Sequence, residues 1–282
     1  MGCERSKAMH YGVTLPNGRA CGDIHLLVEL ACLAEDAGWD GVFLEDYIVH
    51  QGDGAIPTCD PWVALAAIAV RTRHIRLGTS VTPVPRRRPW KLARETVTLD
   101  HLSHGRLVLG VGLGDVEEAG FARVGEVTDA TERARRLDEA LEVLLGLWSG
   151  TPFRYQGSCF QLETVTFLPT PVQKPRIPIW VGGGWPLRGP SLRAARYDGC
   201  RLYPAGARSW TPDEVRALKA FVQSQRSAST PYEIALSPPR EEDTGKLKAL
   251  ADAGMTWLIE YVPAGAPEQM RASVIRGPVR IE

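Results

Sequence analysis

Closely spaced cysteine pairs are absent from this 282-residue sequence. Its six cysteines are scattered between Cys3 and Cys200, and no two of them stand in C-x-x-C spacing. A structural zinc site needs such spacing, and a dense set of paired cysteines is typical of a secreted disulfide framework. We therefore predict free thiols in a reducing compartment, which indicates a cytoplasmic protein.

An excess of charge of one sign and a long apolar run are also missing. Lysine plus arginine and aspartate plus glutamate both number 33, so the chain has no overall field that would hold nucleic acid or an anionic membrane. No stretch has the length and character of a membrane-spanning helix or a secretory signal. The partners we expect are a small-molecule substrate and a second copy of the chain, in a homodimer.

Lysine and histidine are scarce at the positions where two common chemistries would need them. No lysine falls at the end of a predicted strand, which disfavours a Schiff-base mechanism. All histidines lie before residue 105, and only His50 is near the end of a predicted strand. We therefore predict no metal site, because several imidazoles or carboxylates must converge on one ion.

Eight short apolar segments alternate with eight segments of helical periodicity. Regular alternation of this kind is typical of stacked βα units, so we predict a single (β/α)8 TIM barrel over residues 9–282, after a flexible tail at residues 1–8. The predicted strands are residues 10–15, 41–44, 75–81, 106–112, 177–181, 199–203, 232–236 and 257–260.

Residues 151–175 interrupt this alternation between the fourth and fifth predicted strands. Residues 153–168 alternate aromatic and polar side chains like a short hairpin, and a proline-rich run follows. We predict an excursion that packs beside the barrel and is not a second domain.

Acidic residues follow several predicted strands, where a TIM barrel has its active site. The candidates are Glu45, Asp46, Asp115 and Glu260. Two facing carboxylates would suit a hydrolase, with Asp46 and Glu260 as the pair. The alternative interpretation is a salt bridge or turn cap for Glu45 and Asp46, and a helix N-cap for Asp115.

Glycines end the fourth predicted strand and follow the fifth. Gly110, Gly112 and Gly114 alternate with larger residues, but Asp115 stands where a dinucleotide fingerprint requires a further glycine. These glycines suit a thin wall against which a flat ring can lie. Residues 182–184 are three glycines before a predicted helix, which favours either a phosphate site or a flexible turn.

Three consecutive arginines, Arg86, Arg87 and Arg88, follow the third predicted strand. We interpret them as a solvated face or as ion pairs to helix acids such as Glu95. The alternative is contact with the anionic tail of a cofactor.

Four segments together resemble the bacterial luciferase-like superfamily of flavin- and deazaflavin-dependent oxidoreductases, and the likeness covers nearly the whole chain. The combination is specific, whereas no single segment is. The segments are AGWDGVFLEDY at 37–47, LGTSVTP at 77–83, ARETVTLDHLSHGR at 93–106 with its strand to Gly114, and PIWVGGG at 178–184.

The resemblance implies a barrel whose mouth holds the deazaflavin coenzyme F-420 (8-hydroxy-5-deazaflavin), which residues 77–83 favour, or else FMN. Similar proteins have a non-prolyl cis peptide behind the ring, which here joins Ser80 and Val81. Glycines 112 and 114 would line the ring, and glycines 182–184 would face the phosphate. The implied cofactor-binding residues are Thr79, Ser80, Val81, Gly112, Gly114, Gly182, Gly183 and Gly184.

Many deazaflavin-dependent members have Asp-His after the second strand, where this chain has Asp46 and Tyr47. Asp46 can still hydrogen-bond the cofactor ring or the substrate, and Tyr47 is a candidate replacement for the histidine as proton donor. We therefore predict Asp46 and Tyr47 as the catalytic residues. Ring packing is the alternative interpretation of Tyr47.

The function implied by the resemblance is hydride transfer between the bound cofactor and a small organic substrate, or a luciferase-like monooxygenase reaction if the cofactor is FMN. Two alternatives stay open at this point. One is a flavin-binding barrel without turnover, since the usual histidine is replaced by Tyr47. The other is the carboxylate-pair hydrolase.

Overall fold

The computed structural model describes residues 9–50, 55–115, 119–206, 208–227, 231–240 and 242–281. The tail predicted at residues 1–8 lies outside these residues. The described strands are β1 (His10–Leu15), β2 (Gly41–Leu44), β3 (Arg76–Thr79), β4 (Thr82–Pro83), β5 (Leu107–Gly112), β6 (Phe153–Gln156), β7 (Gln161–Val165), β8 (Ile179–Trp185), β9 (Gly199–Pro204), β10 (Glu233–Leu236) and β11 (Trp257–Tyr261). The described helices are α1 (Ile24–Asp36), α2 (Pro61–Arg71), α3 (Pro89–Leu102), α4 (Ala119–Ala122), α5 (Ala130–Trp148), α6 (Arg188–Ala195), α7 (Pro212–Gln225), α8 (Thr244–Ala253) and α9 (Pro267–Ile275).

Eight of the strands close into a parallel barrel. Their order is β3-β2-β1-β11-β10-β9-β8-β5, and pairing of β5 with β3 completes the ring. The predicted (β/α)8 TIM barrel is confirmed. Because all of these pairings are parallel, the carboxyl ends of the eight strands meet at one mouth, where barrel enzymes bind their substrates.

The helices begin and end at residues that satisfy their unpaired backbone groups. The Asp60 carboxylate accepts the N–H of Val63 at 2.9 Å, and Thr211 forms a capping box with Glu214. Gly254 ends α8 with a φ of 131°, which a residue with a side chain rarely adopts. These caps fix the lengths of the helices that surround the barrel.

The third barrel strand differs from the prediction of one continuous segment at residues 75–81. β3 ends at Thr79, and the chain resumes as β4, which pairs with β5 through Thr82 and Pro83. The peptide bond between Ser80 and Val81 is cis, as the resemblance implied. The interruption places a bulge at the barrel mouth.

The fifth barrel strand is longer than predicted, because β8 continues through residues 182–184 to Trp185. Gly182 pairs with Arg201, and Gly184 pairs with Tyr203. Glycine has a low intrinsic propensity for strands, but the pairing of β8 with β9 outweighs this propensity. The three glycines therefore form part of the barrel wall and not a flexible turn.

The interior of the barrel is filled away from its mouth. Aromatic rings pack closely there, with the centroids of Phe43 and Trp180 at 5.4 Å and those of Trp180 and Trp257 at 5.3 Å. The buried side chains of this layer are Phe43, Val108, Trp180, Ala235, Trp257 and Ile259. This packed layer closes the barrel beneath the mouth at the carboxyl ends.

The predicted excursion is confirmed as a two-stranded antiparallel sheet, β6 with β7, outside the barrel. The Glu139 carboxylate on α5 holds its turn by accepting the backbone N–H groups of Ser158, Cys159 and Phe160 at 2.8–3.1 Å. The buried Asp100 on α3 holds the returning chain by accepting the N–H of Val172 at 2.7 Å. Across the whole described part of the chain, no helix is both long and apolar enough to cross a membrane.

Candidate active site

A cavity of about 590 Å³ opens at the carboxyl-terminal mouth of the barrel. This volume lies within the range of small-molecule pockets, roughly 300–1,000 Å³. All but one of the predicted site residues line the cavity: Asp46, Tyr47, Ser80, Val81, Gly112, Gly114, Gly182, Gly183 and Gly184. The structure therefore brings together residues from four different strand ends.

Thr79 is the exception. This residue is only 2 % exposed, and its hydroxyl lies 3.1 Å from the Gly110 carbonyl and 2.9 Å from the Thr82 hydroxyl. Thr79 thus supports the cavity wall from behind, and direct contact between Thr79 and a cofactor stays a prediction.

The glycines of the wall accommodate the bulge at Val81. A Cβ atom on Gly112 would lie 2.6 Å from Cγ2 of Val81, and one on Gly182 would lie 3.0 Å from its Cγ1. Gly114 has a φ of +76°, and a Cβ there would lie 2.7 Å from the Phe121 ring. The glycine pattern and the Ser80-Val81 bulge are therefore parts of one arrangement, in which side chains on β5 or β8 would displace Val81.

Asp46 is buried among cations. The Arg87 guanidinium donates to both oxygens of its carboxylate at 2.8 Å, and Arg86 donates to its backbone carbonyl and lies 3.4 Å from Oδ1. The Thr82 hydroxyl donates to Oδ2 at 2.9 Å. The side chains of Asp46 and Arg86 are each 1 % exposed, so this cluster is a desolvated ion pair whose acceptor positions are occupied.

The interpretation that the arginine run is a solvated face or pairs with Glu95 is wrong for two of its members. Glu95 pairs instead with Lys91, four residues earlier on α3, at 2.7 Å. Arg86 and Arg87 reach Asp46 because the segments that carry them follow the neighbouring strands β3 and β2. Adjacent strand ends in a parallel barrel were the signal in the sequence that could have identified this pairing.

Glu45 has the opposite surroundings. Its side chain is 18 % exposed and lines the cavity, and within the described residues its Oε2 atom is buried without a hydrogen-bond partner. Burial raises the pKa of Glu45 to about 7, and a hydrogen bond from the Tyr261 hydroxyl opposes this rise. The His50 Nε2 atom lies 3.9 Å from Oε2, beyond hydrogen-bond distance.

Residues 7–239 match the family described as luciferase-like monooxygenase. The chain belongs to this family. Over 170 residues it is 36 % identical to an F420-dependent glucose-6-phosphate dehydrogenase of Microbacterium testaceum. This match covers 57 % of this chain and 47 % of that protein. It is 30 % identical over 176 residues to the oxygenase component of a flavin-dependent trigonelline monooxygenase of Acinetobacter baylyi, with 62 % and 47 % covered. The matches thus span about half the length of these relatives.

Solved structures agree with the fold of this luciferase-like protein. An F420-dependent secondary alcohol dehydrogenase in complex with an F420-acetone adduct superposes with a TM-score of 0.76 at 16 % identity, over 95 % of this chain and 99 % of the other. Identity this low supports a shared architecture and not a shared substrate.

The backbone of Tyr47 is fixed by hydrogen bonds to the Asn17 side chain. Its carbonyl accepts the Asn17 side-chain amide at 2.8 Å, its N–H donates back to Asn17 Oδ1 at 3.3 Å, and its ring lies 5.1 Å from the His50 ring. Asn17 is fully buried after β1 and was not identified from the sequence. The catalytic role of Tyr47 stays a prediction.

The hydrolase pairing of Asp46 with Glu260 is wrong, because Glu260 does not face the cavity. Side chains alternate along β11, so Ile259 and Tyr261 point inward while Glu260 points to the outer face. There its carboxylate pairs with Arg240 and accepts the Val279 N–H at 2.9 Å. Two facing carboxylates of the kind expected for a glycosidase are therefore not formed by this pair.

Two further groups of the site were not identified from the sequence. Tyr261 extends β11 by one residue beyond the predicted end and reaches Glu45. Arg193 on α6 lines the cavity and is held by Asp138 of α5 through bonds of 2.7 and 2.8 Å. Within the part of the chain that the structure describes, no three metal-ligating side chains come together.

Proposed function

We propose that this luciferase-like protein is an oxidoreductase that binds coenzyme F-420 across the barrel mouth and transfers a hydride between it and a small organic substrate. The observation that carries the proposal is the cavity floored by Val81 and by the glycines of β5 and β8. The deazaflavin-dependent names of relatives such as the Microbacterium testaceum dehydrogenase support the choice of coenzyme.

The residues of the cavity fit a flat ring with an anionic tail. Val81, Gly112 and Gly182 present a surface without long side chains, against which a tricyclic ring can lie. Arg193, in the last turn of α6, lines the cavity together with Gly183 and Gly184 of β8. A guanidinium beside glycine backbone favours a phosphate.

When bound, the deazaflavin supplies the site that accepts or donates a hydride. The chain's own part is to orient the ring on the Val81 bulge, to hold the phosphate near Arg193 and to exclude water from the mouth. The buried cluster of Asp46 with Arg86 and Arg87 stiffens the segment that carries this bulge, since it ties the end of β2 to the chain after β4.

FMN is the second candidate for the cofactor, with a monooxygenase reaction as the second candidate function. The flavin-dependent monooxygenase of Acinetobacter baylyi supports it. The same surface fits either ring, because both coenzymes are planar tricycles with a phosphate-bearing side chain.

Titration of the purified protein with each coenzyme, followed by fluorescence quenching, tests the proposal. We expect saturable binding of F-420 that is tighter than binding of FMN. Replacing Gly183 by alanine should weaken binding about tenfold, since its Cβ would lie 2.6 Å from Pro190 at a φ of +149°. Gly125→Ala is the matched control, because Gly125 has a φ of +76° and, apart from its chain neighbours, no atom of the described residues would lie within 4 Å of its Cβ. Flat titrations with both coenzymes would overturn the proposal.

Reduction of bound F-420 by a substrate distinguishes an enzyme from a barrel that binds flavin without turnover. We also propose a cytoplasmic homodimer with small-molecule partners. The five cysteines that the structure describes are all unbonded, in keeping with a reducing compartment. Light scattering of the purified protein measures its oligomeric state.

A further inference from the structure

Glu45 is an acidic residue at the barrel mouth whose carboxylate is not fully hydrogen-bonded within the described residues. It follows β2 directly, and its N–H donates to the Leu15 carbonyl at 3.0 Å, which fixes its backbone on the barrel wall. Its side chain lines the cavity, while its Oε2 atom is buried and finds no hydrogen-bond partner among the described residues. A buried polar atom of this kind is costly unless a ligand completes its hydrogen bonding.

Asp46, the adjacent acid, is not available for the same task. Its two carboxylate oxygens already accept bonds from Arg87 and Thr82, and Arg86 lies 3.4 Å away. A proton on this carboxylate would break a desolvated ion pair with two cations. Neutralising Asp46 would remove the carboxylate that Arg86 and Arg87 face, whereas no arginine or lysine in the described part of the chain pairs with Glu45.

The groups around Glu45 are weak acids and an imidazole, and they come from three parts of the mouth. Tyr261 at the end of β11 donates a hydrogen bond to it. His50 and Tyr47 belong to the loop after β2, with their rings 5.1 Å apart. Burial raises the pKa of the Cys21 thiol, on the 3-10 helix after β1, and the nearby Cys59 and Glu45 add to this rise.

We propose that Glu45 is the group that exchanges a proton with the reacting oxygen of the substrate, in place of the histidine that Tyr47 replaces. The inference rests on the proposed oxidoreductase function. When an alcohol is oxidised, its C–H bond breaks and the hydrogen leaves with both electrons to the oxidised coenzyme. The O–H proton passes to Glu45 Oε2, and the C–O bond becomes a carbonyl. Reduction of a carbonyl runs the same transfers in reverse.

The electrostatics of the site agree with this role. Burial raises the pKa of the Glu45 carboxyl to about 7, near the pH at which a general base or acid works best. Within the described residues, neither arginine nor lysine is among the causes that shift this pKa, so the group is free to take up and release a proton.

The first test needs no substrate. Infrared difference spectra of the wild type, recorded with and without F-420 against the E45Q variant between pH 5 and 9, should show one protonated carboxyl that disappears with a midpoint near 7. The E163Q variant is the control, because Glu163 lies on β7 with its side chain 88 % exposed. A Glu45 carboxyl that is already ionised at pH 5 would overturn the inference.

The second test measures turnover with 2-propanol and with glucose 6-phosphate as probes. We expect E45Q to lower kcat roughly 100-fold or more for whichever probe reduces F-420, with the dissociation constant of F-420 unchanged within twofold. E45D should restore part of kcat, and E163Q should match the wild type. An E45Q variant that keeps the wild-type kcat and pH profile would overturn the assignment of Glu45.

The two tests separate this inference from the proposed function. If the wild type binds neither coenzyme, the proposed function fails, even when the Glu45 carboxyl titrates near pH 7. If the wild type binds F-420 and oxidises a probe at the same rate after Glu45 is replaced, the function stands and the inference about Glu45 fails.

Discussion

Two neighbouring carboxylates at the mouth of this barrel have opposite environments. The Asp46 carboxylate accepts bonds from Arg87 and from the Thr82 hydroxyl of β4, and Arg86 lies 3.4 Å from its Oδ1. Glu45 points into the mouth, where the Tyr261 hydroxyl is its hydrogen-bond donor. Arginines thus balance the buried charge of Asp46, whereas in the described part of the chain no arginine or lysine pairs with the adjacent Glu45.

The difference shows that the direction of a side chain, and not its position in the sequence, decides the role of an acid at a strand end. Side chains of consecutive residues at the end of a strand face opposite sides of the wall. The acid on the outer side can recruit cations from the next βα loop, and it then serves stability. The acid on the inner side lines the cavity and, within the described residues, pairs with no arginine or lysine, so a proton or a ligand can balance its charge.

Removing the Asp46 charge should have the largest effect. In Asp46→Asn, the Arg87 guanidinium loses the carboxylate to which it donates two bonds, and Arg86 loses the charge 3.4 Å away, so we expect the free energy of unfolding to fall by about 3–5 kcal/mol. Urea unfolding at pH 7 measures this loss. A decrease of less than about 1 kcal/mol, within the range of an exposed pair, would show that the cluster is solvated.

Removing the Glu45 charge should raise the free energy of unfolding at high pH, whereas removing the Asp46 charge lowers it. Because the pKa of Glu45 rises from 4.5 to about 7 on folding, the folded state binds the extra proton, and this contribution to stability is lost as the pH rises through 7. Glu45→Gln keeps a neutral group there, so above pH 8 it should be more stable than the wild type by up to about 3 kcal/mol.

Below pH 4.5 the two proteins should unfold at similar denaturant concentrations, since Glu45 is then protonated in both states. Urea midpoints of wild type, Glu45→Gln and Glu163→Gln across this pH range measure the difference. If Glu45→Gln is less stable than the wild type at pH 9, the ionised Glu45 carboxylate does not destabilise the folded protein, and this prediction is wrong.

The barrel could be predicted from the sequence because the apolar strands and capped helices are local signals. Asp60 before Pro61 and the pair of Thr211 with Glu214 act within one helical turn, so their effect does not depend on the rest of the fold. The extension of β8 through residues 182–184 could not be predicted in this way, because it depends on pairing with β9.

The candidate site was predictable only as a set of strand ends. Asp46, Tyr47 and the glycines all reach the cavity, since each follows or ends a barrel strand. Which of the two acids meets the arginines depends on the register of β2 with its neighbours, which one sequence does not specify. The pairing of Arg86 and Arg87 with Asp46, and the contact of Tyr261 with Glu45, likewise join distant segments.

Deleting one hydroxyl from the Asp46 cluster should have a smaller effect than deleting its charge. In Thr82→Val, Asp46 keeps both arginines but loses the bond of 2.9 Å to Oδ2, so we expect a loss of about 1–2 kcal/mol in the free energy of unfolding. The infrared titration of Glu45 should be unchanged. A shift in the midpoint of that titration would show that the two acids are coupled through the barrel wall. Their environments would then not be independent of each other.

The smallest effect is expected when Glu45 loses its hydrogen bond from Tyr261. The Tyr261 hydroxyl holds the pKa of Glu45 below the value that burial alone would give. In Tyr261→Phe that bond, of about 0.5–1.5 kcal/mol, is lost, so the pKa of Glu45 should rise by up to about one unit, and the pH at which its contribution to stability is lost should rise with it. Tyr155→Phe is the matched control, because it removes a tyrosine–glutamate bond of 2.8 Å to Glu142 at the surface. Infrared midpoints of the three proteins decide the matter, and a lower midpoint in Tyr261→Phe would mean that Tyr261 stabilises the protonated carboxyl instead of the ionised one.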